Sequence, residues 1–230
     1  MSYVKLRNHP KFPQIYISGP SNRFKLYTPN LVTGKKVYGE RIVKFKDDEY
    51  RRWDPYRSKL AALLLKDPDT SFLERNKDWL YLGASSGTTV SHVSDVYPNN
   101  LIYAVEFAER SMRELLQNTS KRTNVLPILG DARYPETYAK SIFTKVDLIY
   151  QDVAQPNQAE IAIANSDYYL NKGGFIIIAI KSQSIDSVSK VEDVYRNEKI
   201  QLEKGGYDIL ESINIHDYAA NHIILIAQKK

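Results

Sequence analysis

The chain has 230 residues, 43% hydrophobic and 26% charged, an ordinary globular composition that excludes disorder as the dominant state. It contains no Cys, which removes disulfides, thiolate metal sites, thiol redox chemistry and a cysteine nucleophile together. The formal net charge of +5 is unevenly divided: residues 1–60 carry 14 Lys and Arg against 5 Asp and Glu, while the rest is net negative. Such asymmetry points a polyanion or an acidic partner toward the N-terminal part. No stretch approaches the roughly 18 apolar residues a membrane span requires; the longest runs are Phe175–Ile180 and Ile223–Ala227. The opening MSYVKLRNHP lacks the apolar core of a secretory signal, so a cytoplasmic protein is expected.

Residues 12–52 read as short strands, FPQIYIS, RFKLYT, KKVYGE, RIVKF and DEYRRW, broken by turn residues such as Gly19, Pro20, Asn30 and Gly34. Aromatics are interleaved with the cations there, a pattern that suits small-sheet packing as well as base stacking. SKLAALLLK, over Ser58–Lys66, predicts a helix with Ser58 as its N-cap. From Asp78 onward, strand-like runs (WLYLGA, NLIYAVE, NVLPIL, KVDLIYQD, GGFIIIAIKS, YDILESINI, NHIILIAQ) alternate with helical candidates near 87–96, 108–120, 134–143, 157–171 and 186–204. The alternation predicts an α/β fold, a mostly parallel sheet covered on both faces, over residues 56–230 behind a small β domain over 1–55. The Gly pairs at 173–174 and 205–206 are expected at helix C-caps. Too few residues join the last two strands for a helical crossover, so the final strand should run antiparallel. Its first residues, Asn221 and His222, then lie at the edge where open α/β sheets bind ligands.

Three successive strand ends carry a ligand-binding pattern. WLYLGA leads into GASSGTTVSHVSD, where Gly83 and Gly87 bracket a tight turn before a helix N-terminus. The spacing is neither GxGxxG nor a P-loop. Glu106 ends the next strand, where an acidic side chain accepts hydrogen bonds from a ribose diol. Asp131 follows the third, placed to hold an adenine amino group. Together they favour an adenosyl ligand, either S-adenosylmethionine or a nicotinamide cofactor.

Ionisable residues gather on the same edge: Asp152 ends KVDLIYQD, Lys181 ends GGFIIIAIK, His222 opens the last strand, and Lys59 on the early helix can reach over them. A hydroxyl acceptor attacking an activated methyl must lose its proton, for which a positioned base supplies about 10²–10⁴-fold. Lys181 serves as that base if neutral, or stabilises the developing alkoxide if charged. His9, His92 and His216 show no metal-ligand spacing, so no metal is expected, and His92 reads as structural.

The motifs RSKLAA, YLGASSGTTVSHVSD, YAVEFAERSMREL, GDARYPETY, DLIYQDVAQPNQAEI and KGGFIIIAIKSQSID resemble the fibrillarin family, in the archaeal form without a Gly/Arg-rich tail, over nearly the whole chain. The resemblance implies an S-adenosylmethionine-dependent RNA 2′-O-methyltransferase with a seven-stranded Rossmann-like sheet and a small N-terminal β domain. It implies cofactor contacts from the turn at Gly83 and Ala84 and from Thr88, Thr89, Glu106, Phe107, Asp131, Ala132, Asp152, Val153, Ala154 and Gln155. It also implies a catalytic tetrad of Lys59, Asp152, Lys181 and His222, although HDYAANH departs from the Pro-Tyr and charged pair usual before that His. The expected setting is a box C/D guide ribonucleoprotein with a Nop-domain scaffold protein and a kink-turn-binding protein of the ribosomal family. There, base pairing between guide RNA and substrate rRNA or tRNA selects the nucleotide. Competing expectations are a stand-alone methyltransferase, a non-catalytic assembly subunit and a nicotinamide-dependent dehydrogenase.

Overall fold

The computed structural model of the chain describes residues 2–20, 23–69, 73, 77–186 and 190–230. The N-terminal sheet contains β1 (Ser2–Tyr3), β2 (Arg7–Asn8), β3 (Tyr16–Ser18), β4 (Lys25–Pro29), β5 (Ile42–Phe45) and β6 (Asp48–Trp53), in the order β1-β5-β6-β4-β3-β2. Every neighbouring pair is antiparallel except β1 with β5. KKVYGE, expected to be a strand, is instead a loop. The Glu40 carboxylate accepts the backbone N–H groups of Val37 and Tyr38, which curls the chain back on itself.

The second sheet contains β7 (Trp79–Leu82), β8 (Ile102–Glu106), β9 (Val125–Leu129), β10 (Val146–Gln151), β11 (Leu170–Lys181), β12 (Tyr207–Asn214) and β13 (His222–Lys229). Its order is β12-β13-β11-β10-β7-β8-β9, and only β13 runs antiparallel to its neighbours, as expected from the short connection. The helices are α1 (Lys59–Leu65), α2 (Thr88–Val96), α3 (Glu109–Thr119), α4 (Gln158–Tyr169), α5 (Ser182–Ile185) and α6 (Val191–Lys204). Ser58 does cap α1, its hydroxyl accepting the Ala61 N–H. Pro135–Ser141, expected to be helical, forms a 3-10 turn with Pro135 at its start. The helix expected over 186–204 is α6 from Val191, and 187–189 lie outside the described residues.

Of the two Gly pairs, 205–206 ends α6 as expected, Gly206 adopting φ +89°. Gly173 and Gly174 do not cap α4. They lie inside β11, where the pairing register with β10 shifts, because a strand entered directly from Leu170 must absorb extra residues.

Alternation along the central strands splits the core. Tyr81, Tyr150, Ile177 and Ile224 face one side, packing with Leu60 and Leu63 of α1, Val90 and Val93 of α2, and Ile17, Leu26 and Trp53 of the N-terminal sheet. Leu80, Leu82, Ile149, Ile178 and Leu225 face the other, against Ala159 and Ala162 of α4 and Leu202 of α6. Each of the Leu, Ile and Val side chains contributes about 1.5–3 kcal/mol on burial. The N-terminal sheet therefore shares a core with the larger sheet.

A buried charged chain crosses the same seam. The Arg51 guanidinium lies 2.6 Å from Glu40 and 2.6 Å from Asp95 of α2, and Asp95 also meets Arg122 at 2.5 Å. Arg51 further donates to the Ser91 hydroxyl. His92 of α2 is fully buried, stacked 5.0 Å from Trp53 and bonded to Thr28 and Tyr38. Its structural reading holds, and these contacts anchor the helix that begins at the turn between Gly83 and Gly87.

Candidate active site

Backbone sterics shape the turn after β7. Gly83 adopts φ +81°, and a Cβ there would collide with the Asp152 carbonyl, so the ends of β7 and β10 come together only with glycine at this position. Gly83 and Ala84 both donate their N–H to Val105 at the end of β8. Gly87, at φ +88°, caps α2 against Leu115. Three strand ends thus converge.

Glu106 is only 6% exposed, yet both oxygens are engaged: Oε2 accepts the Ser85 N–H and Oε1 the Ala108 N–H, each at 2.8 Å. These bonds fix the carboxylate on the wall of a cleft at the converging strand ends. Gly83, Glu106, Phe107 and Ala132 line it, as do Asp152, Val153, Ala154 and Gln155. Phe107 is 58% exposed, an apolar ring left facing solvent at the cleft.

Four expected contacts fall outside that lining. Ala84 is buried beneath the turn, and Thr88 opens α2. Thr89 turns inward, its hydroxyl donating to Ser58 at 2.9 Å, because the first turn of α2 packs against the start of α1. Asp131 flanks the cleft between Gly130 and Ala132, and its carboxylate is clasped by the Arg133 side chain and N–H. Those hydrogen bonds hold it below the usual carboxylate range.

The four ionisable residues do come together. Lys59 Nζ lies 2.8 Å from both carboxylate oxygens of Asp152. Lys181 and His222 stand directly opposite in the β11–β13 ladder, which puts their side chains on one face. Among the described residues Lys181 makes no ion pair. The His222 ring donates Nδ1–H to the Ala220 carbonyl at 2.7 Å, since a carbonyl can only accept; its Nε2 therefore carries the free lone pair. Burial lowers the imidazole's pKa below 6.5; the Ala220 bond and Asp152 oppose that shift, and the charges of Lys59 and Lys181 reinforce it. His222 is thus a neutral acceptor at pH 7. The HDYAANH segment supplies the Ala220 carbonyl that fixes this tautomer.

Gln158 escaped the sequence reading. Fully buried at the start of α4, it accepts the Lys181 N–H at 3.1 Å and donates to the Val153 carbonyl at 3.0 Å, tying the cleft wall to the end of β11. Its signal is the DVAQPNQAEI run, where a Gln opens an otherwise apolar helix face. Among the described residues no His, Cys, Asp and Glu cluster could hold a metal, and no helix is long and apolar enough to cross a membrane.

A sequence model described as fibrillarin matches residues 6–230. A fibrillarin-like rRNA/tRNA 2′-O-methyltransferase of Methanocaldococcus jannaschii is 46% identical over 202 residues, spanning 88% of this chain and 87% of that one. Fibrillarin of Aeropyrum pernix, solved with natively bound S-adenosyl-L-methionine, superposes with a TM-score of 0.90 at 41% identity, covering 99% of each chain. The chain is also similar to one from a fibrillarin/Nop5p complex, with a TM-score of 0.81, 39% identity and coverage of 90% and 94%. With its strand-end cleft, its sheet order and this likeness along almost its full length, the chain belongs to the fibrillarin family.

Proposed function

We propose that this chain transfers a methyl group from S-adenosylmethionine to the ribose 2′-hydroxyl of rRNA and tRNA, as the catalytic subunit of a box C/D guide ribonucleoprotein. The observation that carries this reading is the bidentate Lys59–Asp152 pair beside the Lys181–His222 pair, at the rim of a cleft walled by the Glu106 carboxylate.

The cleft fits the cofactor. Glu106, pinned by two backbone N–H groups, keeps lone pairs for a ribose diol. Phe107, Ala132 and Val153 offer apolar walls for an adenine, and Asp131 flanks its edge. Bound S-adenosylmethionine supplies a methyl on a sulfonium, electrophilic enough for direct attack by an oxygen.

The chain's own residues prepare that oxygen. His222 Nε2 accepts the hydroxyl proton, its lone pair presented by the Nδ1–H bond to Ala220. Lys181, without a carboxylate partner among the described residues, stabilises the developing alkoxide. Lys59 and Asp152 lock one another, so the carboxylate stays fixed where α1 meets the end of β10. Holding both reactants in line contributes further to the rate.

The partners in this reading are a Nop-domain scaffold protein, a kink-turn-binding protein of the ribosomal family, and box C/D guide and substrate RNAs, in the cytoplasm. The basic N-terminal residues suit an RNA-bearing assembly. Base pairing selects the nucleotide, and the chain supplies chemistry. The test is reconstitution with scaffold protein, kink-turn protein, guide RNA and substrate RNA, followed by nucleoside mass spectrometry. A 2′-O-methyl at the guided nucleotide, lost in Asp152→Ala, is the expected result. An assembled particle that methylates nothing, or methylates a base, overturns the reading.

A further inference from the structure

A second cavity, of about 380 Å³, reaches the C-terminal end of α1 at Leu65, and its lining combines Arg23, Phe24, Leu65, Asp67 and Tyr218 with the buried His9. Its size falls in the roughly 300–1,000 Å³ range of small-molecule and nucleotide sites. Continuity with the catalytic rim comes from Tyr218. That residue lies four positions before His222, and its ring meets Tyr56, three positions before Lys59, edge-on at 5.4 Å. Tyr56 is 69% exposed, so the aromatic pair stands at the surface between the two elements that deliver Lys59 and His222.

The chemistry of the cavity is aromatic and cationic. Both nearby carboxylates are already engaged: Lys11 holds Asp67 at 2.9 Å, and Lys66 holds Asp217 at 2.6 Å while its ammonium lies 5.8 Å from the Tyr218 ring centre. Arg23 makes no ion pair among the described residues, leaving its guanidinium available to an incoming anion. The base is preformed. His9 is 2% exposed, its Nδ1 accepts the N–H groups of Lys11 and Phe12, and its ring stands edge-on to Phe24.

We infer that this cavity binds a nucleotide of the substrate RNA strand adjacent to the methylated one, its base stacked on Tyr218 and Phe24 and its phosphate held by Arg23. The inference rests on the RNA methylation reading above. Stacking on aromatic rings accepts every base because every base has a π-face, and a guanidinium matches phosphate without reading sequence. An enzyme whose target is chosen by pairing elsewhere needs that kind of grip. Drawing the neighbouring nucleotide to one side also turns the target ribose toward the Lys181–His222 pair.

The experiment uses the full particle with a substrate strand carrying one 5-iodouridine at each flanking position in turn, irradiated and mapped by mass spectrometry. A crosslink to Tyr218 or Phe24 from one flanking position is expected. In steady-state assays Tyr218→Ala and Arg23→Glu should each raise KM for the long strand on the order of tenfold, with S-adenosylmethionine affinity unchanged and Tyr218→Phe restoring the value. A strand ending before the flanking nucleotide should show the same KM with every variant. Crosslinks confined to other surfaces, equal effects on both strands, or no effect on KM overturn the inference. Release of the scaffold protein by Arg23→Glu also overturns it, marking a protein interface. A wild-type particle that crosslinks through Tyr218 but transfers no methyl sinks the activity while the nucleotide site stands; one that does neither sinks both.

Discussion

Lys59 Nζ sits 2.8 Å from each carboxylate oxygen of Asp152, although 93 positions separate the two residues. The pair joins the first turn of α1 to the end of the central strand β10. Both side chains are about a quarter exposed, so the bridge contributes little to stability, on the order of 0–1 kcal/mol. Lys59→Met, which frees the Asp152 carboxylate to shift, should therefore lower kcat on the order of 10²-fold while leaving the melting temperature almost unchanged. Single-turnover methyl transfer beside a thermal melt checks this, and a large loss of stability with activity retained would reverse the assignment.

Glu106→Gln tests the cleft. The amide can accept at only one of the two positions where Oε1 and Oε2 now receive the Ala108 and Ser85 N–H groups. It also presents a weaker acceptor to a ribose hydroxyl. A charge-assisted hydrogen bond is worth about 1.5–3 kcal/mol, so S-adenosylmethionine affinity should fall roughly ten- to hundredfold by calorimetry. The exposed Glu109→Gln should leave it unchanged.

The strand ends were legible because period-two apolar runs and the glycines between them mark where β7, β8 and β10 stop. The antiparallel β13 followed from the length of one connection. Local signals misled where a side chain replaced the backbone ladder. KKVYGE has strand composition, but Glu40 captures its N–H groups, and Gly173-Gly174 has cap composition but interrupts a strand. Thr89, expected at the cofactor through the family resemblance, bonds Ser58 because helical phase turns it toward α1. The Arg51–Asp95–Arg122 chain was not readable at all. Nothing in DEYRRW or SHVSD says that these charges share one interior, which only the docking of two sheets creates.

Arg51→Met is the stability test of that docking. Removing the guanidinium leaves Glu40 paired only to backbone N–H groups, and Asp95 with a single cation, Arg122, beside the Thr28 hydroxyl and the Leu31 N–H, both carboxylates inside the protein. Breaking a buried pair from one side costs about 3–5 kcal/mol. Urea unfolding should show that loss, and a shift below about 1 kcal/mol would mean that water reaches the seam.

Catalysis should follow His222. With its imidazole held below its ordinary 6.5 by burial, the acceptor form predominates through neutral pH. We expect kcat/KM to be flat around pH 7 and to fall with acid only once His222 gains its proton, below pH 6.5. His222→Gln should erase this limb and lower the rate. A wild-type profile that still climbs above pH 8 would assign the proton to Lys181 instead.

Stability should fall with acid in two stages, and the direction follows from where protons bind. The His92 imidazole is held well below 6.5, first by burial and then by the charges of Arg51 and Arg122, so the folded chain refuses a proton that the unfolded chain accepts. Stability contributed by this refusal is full above pH 6.5 and declines as pH drops beneath it, by up to about 1.4 kcal/mol per pH unit for one proton. His9 and His222, lowered chiefly by burial, add to the same window. Glu40 acts later. Burial alone would raise its carboxyl, but Arg51 and the Tyr38 and Val37 N–H groups outweigh that and hold it below 4.5, so its contribution fades as acid protonates it. His92→Gln should flatten the slope of unfolding free energy between pH 6.5 and 5 by about one proton's worth and leave the steeper loss below pH 4.5 in place. An unaltered slope in that variant would mean that His92 is protonated inside the fold, which its burial and the charges of Arg51 and Arg122 make unfavourable.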